Sequence, residues 1–307
     1  MNTTTHSARP VLLGGTLIVL GAIGFSGKSI LIKLAYADSV QVDAITLMTL
    51  RMAFALPFFL AAAFWRGDAE KAAHGRGDWM VLLLLGIMGY YLASLLDFKG
   101  LEHISAGLER LILFLYPTFV VLLTALLYRR PIGRTQRLAL VLSYVGIGLV
   151  YGTQPMGVSP NASLGALLVL GSAVVFAIYM TASGHYIPRF GSRRFTAYSM
   201  SVACAVTIVH FLLVKPVSGL AVSSHVLALG LALALFSTVL PAFLMTAGIR
   251  RIGADHAAIV GSIGPVSTLM LAWLVLGEAL TTPQILGAVL VVCGVLLVSL
   301  AGIKAGD

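Results

Sequence analysis

Residues 105–152 read SAGLERLILFLYPTFVVLLTALLYRRPIGRTQRLALVLSYVGIGLVYG, and residues 253–300 read GADHAAIVGSIGPVSTLMLAWLVLGEALTTPQILGAVLVVCGVLLVSL. Each stretch contains an apolar helix, a short polar joint and a second apolar helix. Three pairs of punctuating residues recur at an offset of 148 positions: Pro117 and Pro265, Gln136 and Gln284, and Gly146 and Gly294. Repetition at a fixed offset indicates that one structural unit occurs twice in the chain.

The composition of the chain is that of a membrane protein. Of its 307 residues, 59% are hydrophobic and 10% are charged, and the mean hydropathy is +1.00. A soluble domain carries about 25% charged residues. Because a membrane-spanning helix needs roughly 20 apolar residues, the chain has room for about ten such helices and little else. We therefore expect no separate catalytic domain outside the membrane.

We predict an all-α integral membrane protein with ten transmembrane helices, five in residues 1–152 and five in residues 153–307. The predicted spans are about 11–33, 43–64, 79–98, 104–128, 135–152, 163–184, 193–214, 225–247, 254–276 and 282–303. Because five is an odd number, the second half would be inverted relative to the first. Two inverted-topology repeats around a central cavity are typical of secondary transporters.

The positive charges predict the orientation. The net charge of +9 would favour nucleic-acid binding in a soluble protein, but cytoplasmic loops of membrane proteins concentrate Lys and Arg. Of the 20 Lys and Arg residues, 14 fall on one set of loops and termini, which predicts cytoplasmic N- and C-termini. We expect a monomer or homodimer in the bacterial cytoplasmic membrane. Its partners would be lipid and a small-molecule substrate, with no nucleic acid, metal or cofactor.

Several motifs together resemble those of one transporter family. The first predicted helix ends in Phe25-Ser26-Gly27-Lys28, the second carries Arg51, and Gly100-Leu101 leads through Ile104-Ser105-Ala106 to Pro117. In the second half, Gly277-Glu278 is followed by Gln284, Gly287 and Gly294. Over nearly the whole chain this pattern resembles the EamA-type transporters of the drug/metabolite transporter superfamily. The resemblance implies two five-helix repeats and export of amino acids or related metabolites. Arg130 departs from it, because the first repeat often has there the Glu that Glu278 supplies in the second.

Charged residues inside the predicted helices are candidates for a substrate-binding pore. A charge at the centre of a membrane helix costs roughly 2.5–3.5 kcal/mol, so such a residue usually has a partner or faces water. Lys28, Asp97 and Glu109 all fall in the predicted outer half of the first repeat. We predict that Lys28 faces the central cavity with Glu109 as its partner. The alternatives are a snorkelling Lys28 and a purely structural pairing of Arg51 with a carboxylate.

Aromatic residues and prolines complete the candidate pore. Five tyrosines lie well inside predicted helices, where their hydroxyls need polar partners: Tyr90, Tyr91, Tyr116, Tyr179 and Tyr198. We predict that they line the substrate path, and helix packing is the alternative. Proline frees a backbone carbonyl within a helix, so Pro117 and Pro265 are predicted to kink helices 4 and 9 and shape the cavity.

The leading interpretation is a secondary transporter that exports small organic metabolites, such as amino acids or related amines, by alternating access between the repeats. A channel-like facilitator and a non-transporting membrane sensor are the alternatives. An intramembrane enzyme is least favoured, because the chain has no His-Glu-x-x-His or Gly-x-Ser-x-Gly motif, and we predict no catalytic residues. No Walker-type Gly-x-x-x-x-Gly-Lys-Ser/Thr motif is present to bind ATP.

Overall fold

The computed structural model describes residues 5–38, 42–64, 75–127, 129, 132–152 and 160–306. Within these residues the chain forms helices and no strands. Ten helical stretches follow one another: α1 Thr5–Asp38, α2 Ala44–Phe64, α3 Arg76–Leu101, α4 Ala106–Leu127, α5 Arg134–Gly152, α6 Ala162–Phe190, α7 Ser192–Val214, α8 Ser224–Ala234 continued by Leu235–Val239 and Leu240–Gly261, α9 Ile263–Leu276, and α10 Thr282–Gly306. Short π-helical turns interrupt α3 at Ile87–Leu92 and α8 at Leu235–Val239.

Seven of the described helices are long and apolar enough to cross a membrane, namely α1, α2, α3, α4, α6, α7 and α8. The helix α9 and the Thr282–Leu297 part of α10 are shorter apolar helices. Large apolar side chains cover much of the outer surface, as lipid requires. The chain is therefore an all-α, multi-pass membrane protein.

The chain is interrupted close to both prolines that the sequence singles out. The helix α4 breaks at Phe114, and α8 gives way to α9 at Ser262, in each case three residues before the proline. Pro117 and Pro265 thus lie in the first turn of a new helical segment. Backbone N–H groups in a first turn have no acceptor within the helix, so a proline, which has no N–H, costs no hydrogen bond there. Each proline follows a break instead of bending a continuous helix.

The joint before α9 differs from the prediction. The predicted spans end at 247 and restart at 254, but α8 continues as a helix to Gly261. In the first half, the hydroxyl of Ser105 accepts a hydrogen bond from the backbone N–H of Leu108 at 3.2 Å and so caps the start of α4. The matching position in the second half is Gly253, which has no side chain to cap a new helix there.

Glycines allow four helices to pack closely in two similar crossings. The helices α1 and α8 meet at Gly14 and Gly248, where an added Cβ on Gly248 would lie 3.0 Å from the carbonyl oxygen of Gly14. The helices α3 and α6 meet at Gly100 and Gly165, where a Cβ on Gly100 would lie 2.9 Å from the carbonyl oxygen of Gly165. Such approaches are available only without a side chain. Gly100 and Gly248 are themselves 148 positions apart.

The helices α5 and α10 cross through a reciprocal contact. A Cβ on Gly146 would lie 2.7 Å from the carbonyl oxygen of Gly287, and a Cβ on Gly294 would lie 2.7 Å from that of Ala139. The offset of 148 relates Gly146 to Gly294 and Ala139 to Gly287. The same contact therefore occurs twice, once from each helix to the other. Two copies of one unit that are related by a twofold axis meet in this way.

Equivalent caps begin these two helices. The backbone N–H of Gly133 donates to Oε1 of Gln136 at 2.9 Å, and that of Thr281 donates to Oε1 of Gln284 at 2.9 Å. Each glutamine satisfies a backbone donor that the start of its helix leaves unpaired. The matching of Gln136 with Gln284 in the sequence thus corresponds to one local structure used twice.

Candidate functional site

Three charged residues from three helices meet inside the bundle, and we call them the ionic cluster. The Nζ atom of Lys28 in α1 lies 2.5 Å from Oδ2 of Asp97 in α3 and 3.4 Å from Oε1 of Glu109 in α4. The Lys28 side chain is 13% exposed, and both carboxylates are buried. The sequence predicts Glu109 as the partner of Lys28, but the hydrogen bond goes to Asp97, with Glu109 as the second neighbour.

Local structure brings the ionic cluster together. Asp97 lies one turn before the end of α3, and Glu109 lies one turn into α4, so the short joint between them places the two carboxylates side by side. On α1, the hydroxyl of Ser26 donates to the carbonyl oxygen of Gly264 at 2.8 Å, which fixes α1 against the start of α9 close to Lys28.

The cluster contains more acceptors than donors. Oδ1 of Asp97 and both carboxylate oxygens of Glu109 receive no hydrogen bond from the residues that the structure describes. The 3.4 Å separation between Lys28 and Glu109 is an ion-pair distance, but its geometry is not that of a hydrogen bond. The site can therefore accept a hydrogen bond from a ligand, or it can bind a proton.

Arg51 lies beside the ionic cluster on α2. Its Nη2 atom donates to the hydroxyl of Ser94 at 2.9 Å, and its guanidinium group lies 4.7 Å from the centre of the Phe98 ring. A cation over an aromatic face is stabilised by the ring quadrupole. Arg51 is thus held by a hydroxyl and a ring, and it adds positive charge next to Asp97.

Four aromatic residues form a second cluster, which we call the aromatic cluster: Tyr90, Tyr116, Phe176 and Tyr179. The hydroxyl of Tyr179 donates to that of Tyr90 at 3.1 Å, and the ring of Phe176 lies 5.1 Å from that of Tyr116 and 5.7 Å from that of Tyr179. Gly89 allows the Tyr179 ring to lie directly against the backbone of α3. Three of the five predicted tyrosines therefore meet, together with Phe176, which the sequence reasoning missed.

The aromatic cluster lies one layer away from the ionic cluster along α3 and α4. Tyr90 precedes Asp97 by seven residues on α3, and Tyr116 follows Glu109 by seven residues on α4. Seven residues of helix correspond to ~10 Å along the axis. The two antiparallel helices thus carry one layer of charge and, about 10 Å away, one layer of aromatic rings.

Tyr91 and Tyr198 face other neighbours. The hydroxyl of Tyr91 lies 2.9 Å from Nδ1 of His210 on α7. The ring of Tyr198 packs against Trp79, with the ring centres 5.2 Å apart. Neither residue is among the contacts that join the aromatic cluster. A single sequence cannot separate these two tyrosines from the others, because all five lie within apolar helices.

Glu278 links the two halves of the chain, and the sequence reasoning noted it only as a motif residue. Its Oε1 and Oε2 atoms accept hydrogen bonds from the backbone N–H groups of Ala106 at 2.8 Å and Gly107 at 3.2 Å. A carboxylate at a helix N-terminus is stabilised by the helix dipole and by the free N–H groups. Gly277, with φ of 66°, turns the chain at the end of α9 so that Glu278 reaches the start of α4.

A cleft opens between α4 and α6 beyond the aromatic cluster. Its volume is about 260 Å³, and it is lined by Leu123, Leu127, Ile178, Thr181, Ala182, His185 and Tyr186. Leu123 and Tyr186 lie seven residues beyond Tyr116 and Tyr179, so the cleft is the next layer along the same two helices. Among the described residues, no group of His, Cys, Asp and Glu is arranged to hold a metal ion.

Comparison with known proteins identifies the family of this chain. The model of the EamA-like transporter family matches residues 12–152 and 163–300. The uncharacterized transporter YcbK of Bacillus subtilis is 33% identical over 91% of this chain and 90% of its own length. The uncharacterized inner membrane transporter YicL of Salmonella typhimurium is 27% identical over 93% of this chain and 95% of its own length.

A solved structure shares the fold. A protein crystal structure aligns with a TM-score of 0.64 at 19% identity, covering 98% of this chain and 99% of that chain. Together with the apolar helices, these similarities support a membrane transporter. The chain belongs to the EamA-like transporter family.

Proposed function

We propose that this protein is a secondary transporter that exports small organic metabolites, such as amino acids or related amines. Ten membrane-spanning helices form two inverted repeats, residues 1–152 and 153–307, around a central path. Both termini lie in the cytoplasm, and the protein resides in the bacterial cytoplasmic membrane. It acts by alternating access and has no enzymatic activity.

The observation that carries this proposal is the set of reciprocal crossings around a buried ionic cluster. The crossings of α1 with α8, α3 with α6, and α5 with α10 are those expected of two repeats related by a twofold axis. Five helices per repeat make the twofold relation an inversion across the membrane, and substrates of inverted-repeat transporters bind between the repeats. The ionic and aromatic clusters are built from α1, α3, α4 and α6, on the path that this arrangement predicts.

The two clusters suit a small zwitterion or amine with an apolar part. Oδ1 of Asp97 and the Glu109 carboxylate offer acceptors to an ammonium group, and the aromatic cluster offers an apolar surface about 10 Å away. Glu278 closes the path at the end nearer the ionic cluster, because it ties the start of α4 to the other repeat. Breaking this link would free α4 to move about its interruption at Phe114.

Counterflow tests the proposed transport. Purified protein in liposomes loaded with one unlabelled amino acid or amine is expected to accumulate the same labelled compound transiently. A carrier exchanges substrate through one alternating site and gives this overshoot, whereas a channel does not. Saturable uptake with counterflow supports the proposal, and flux without counterflow points to a channel-like facilitator. No flux for any tested amino acid or amine would reject the substrate class.

Single-cysteine labelling tests the orientation. Cys204 and Cys293 are first replaced by alanine, and cysteine is then introduced at Ser192, the first residue of α7, or at Ser218, between α7 and α8. An impermeant thiol reagent applied to intact cells should label position 218 but not position 192, because Arg189, Arg193 and Arg194 mark the latter side as cytoplasmic. External labelling at position 192 would contradict the proposed topology. Residues 153–159, predicted to be external, lie outside the described residues.

Tyrosine variants test the aromatic cluster. Replacing Tyr90 or Tyr179 with alanine is expected to lower the rate of counterflow several-fold at near-normal expression, because it removes ring surface that the substrate would contact. Tyr198→Ala is the matched control, since Tyr198 packs against Trp79 outside the cluster. Wild-type kinetics in both Tyr90→Ala and Tyr179→Ala would show that the cluster serves only helix packing.

A further inference from the structure

One carboxyl group of the ionic cluster shares its nearest cation with the other carboxyl group. Lys28 donates its hydrogen bond to Asp97, while Glu109 stays 3.4 Å from the same nitrogen atom. Glu109 is fully buried, and neither of its oxygens receives a hydrogen bond from a described residue. An ionised carboxylate in this position would be both desolvated and short of donors, which is strongly unfavourable.

A proton would satisfy the cluster. On Glu109 it neutralises a buried carboxylate that receives no hydrogen bond and converts an acceptor into a donor. The Asp97 and Glu109 carboxyl groups lie 2.5 and 3.4 Å from the same Nζ atom of Lys28, and Oδ1 of Asp97 is an acceptor with no donor among the described residues. One proton can therefore supply a missing hydrogen bond between the two carboxyl groups.

Other charged or titratable groups lie around the ionic cluster. They come from four elements: Tyr36 on α1, Arg51 on α2, Arg110 on α4 and Glu278 after α9. Tyr36 donates to the carbonyl oxygen of Phe98, and Arg51 donates to Ser94. Arg110 points at α9, where a Cβ on Gly264 would lie 2.8 Å from its Nη2 atom, but its charge lies near Glu109 and its buried Nε atom has no hydrogen-bond partner among the described residues. Glu278 accepts from the start of α4. Lys28 is the cation that lies within ion-pair distance of both Asp97 and Glu109, so it can change partner.

We propose that Glu109 is a proton-binding site whose protonation couples transport to the proton gradient. In the conformation described here the proton lies on Glu109 and is donated to Asp97, while Lys28 pairs with Asp97. When the path opens to water, the O–H bond of Glu109 breaks and the proton passes to a water molecule. Lys28 is then attracted from Asp97 to the Glu109 carboxylate, which shifts α1 relative to α4. Proton binding stands on the geometry alone, whereas coupling also rests on the proposed transport function.

Infrared spectroscopy tests proton binding without any substrate. The C=O stretching band of a protonated carboxylic acid is recorded for purified protein at neutral pH. We expect a band that is absent in Glu109→Gln, shifted in Glu109→Asp and retained in Glu102→Gln, the control at an exposed residue just after α3. A wild-type spectrum without this band, or a band that Glu109→Gln leaves in place, would overturn the proposal. The Glu109→Asp variant keeps the test decisive if Glu109→Gln does not fold.

Proton movement in liposomes tests the coupling. The lumen contains a pH-sensitive dye, and a mixture of the common amino acids is the probe. We expect transport by the wild type to move protons, and we expect Glu109→Gln to move none, whether its counterflow is lowered or not, with protons counted per amino acid carried. Proton movement of equal size in both proteins would overturn the coupling. If the wild type carries no amino acid, amino acid export is rejected, and the infrared band still decides whether Glu109 binds a proton.

Discussion

Replacing Lys28 with methionine is expected to lower the free energy of unfolding by about 3–5 kcal/mol, because removing one partner of a buried ion pair leaves the other charge uncompensated. Asp97 would lose its hydrogen bond of 2.5 Å, and Glu109 would lose its nearest cation. Insertion into the membrane should stay near normal, since methionine is more favourable in lipid than lysine. Thermal unfolding of the purified variant measures the loss, and counterflow should show transport abolished or altered.

Second substitutions identify the partner that matters for stability. Asp97→Asn in the Lys28→Met background should restore most of the lost stability, because it removes the carboxylate that Lys28 binds directly. Glu109→Gln should restore less, since a Glu109 that already carries a proton needs no cation. The matched control is Lys99→Met, which changes an exposed lysine near the end of α3 and should have little effect. Wild-type stability and transport in Lys28→Met would show that Lys28 only snorkels.

Replacing Gly146 with leucine is expected to destabilise the protein by about 1–3 kcal/mol or more, because the new side chain has no space between α5 and α10. Its Cβ would lie 2.7 Å from the carbonyl oxygen of Gly287 and 3.0 Å from side-chain atoms of Leu290 and Val291. The backbone oxygen belongs to the opposing helix and cannot rotate away, so the helices must separate. Thermal unfolding and loss of monodispersity after heating measure the effect.

A neighbouring glycine provides the control for this experiment. Gly148 lies on the same helix, and an added Cβ there would meet nothing within 4 Å. Gly148→Leu should therefore unfold close to the wild-type temperature. Gly294→Leu should behave like Gly146→Leu, because its Cβ would lie 2.7 Å from the carbonyl oxygen of Ala139 on the other side of the same crossing. Equal unfolding temperatures for Gly146→Leu and Gly148→Leu would contradict the packing described here.

Much of the helical architecture could be predicted from the sequence. Apolar runs long enough to span a bilayer must become helices, because lipid offers no partner for backbone N–H and C=O groups. That rule is local, so it locates α1, α2 and α7 without knowledge of their neighbours. The repeat-matched residues could also be predicted, since Gln136 and Gln284 cap helices through contacts only three residues away. The prediction failed at the joint before α9, where one missing cap, Gly253 in place of Ser105, leaves the helix continuous.

The composition of the candidate site was only partly predictable. The sequence by itself determined that Lys28, Asp97 and Glu109 would be costly inside a membrane and would need partners. Only the tertiary structure decided that Lys28 donates to Asp97 and leaves Glu109 without a hydrogen bond, that Tyr198 faces Trp79, and that Glu278 caps a helix of the other half. The physical reason is that these outcomes depend on helix crossings, which are set by glycine contacts between residues far apart in the chain. Hydropathy along the chain indicates that burying a charged residue is costly. Which partner that residue contacts depends on where the helices cross.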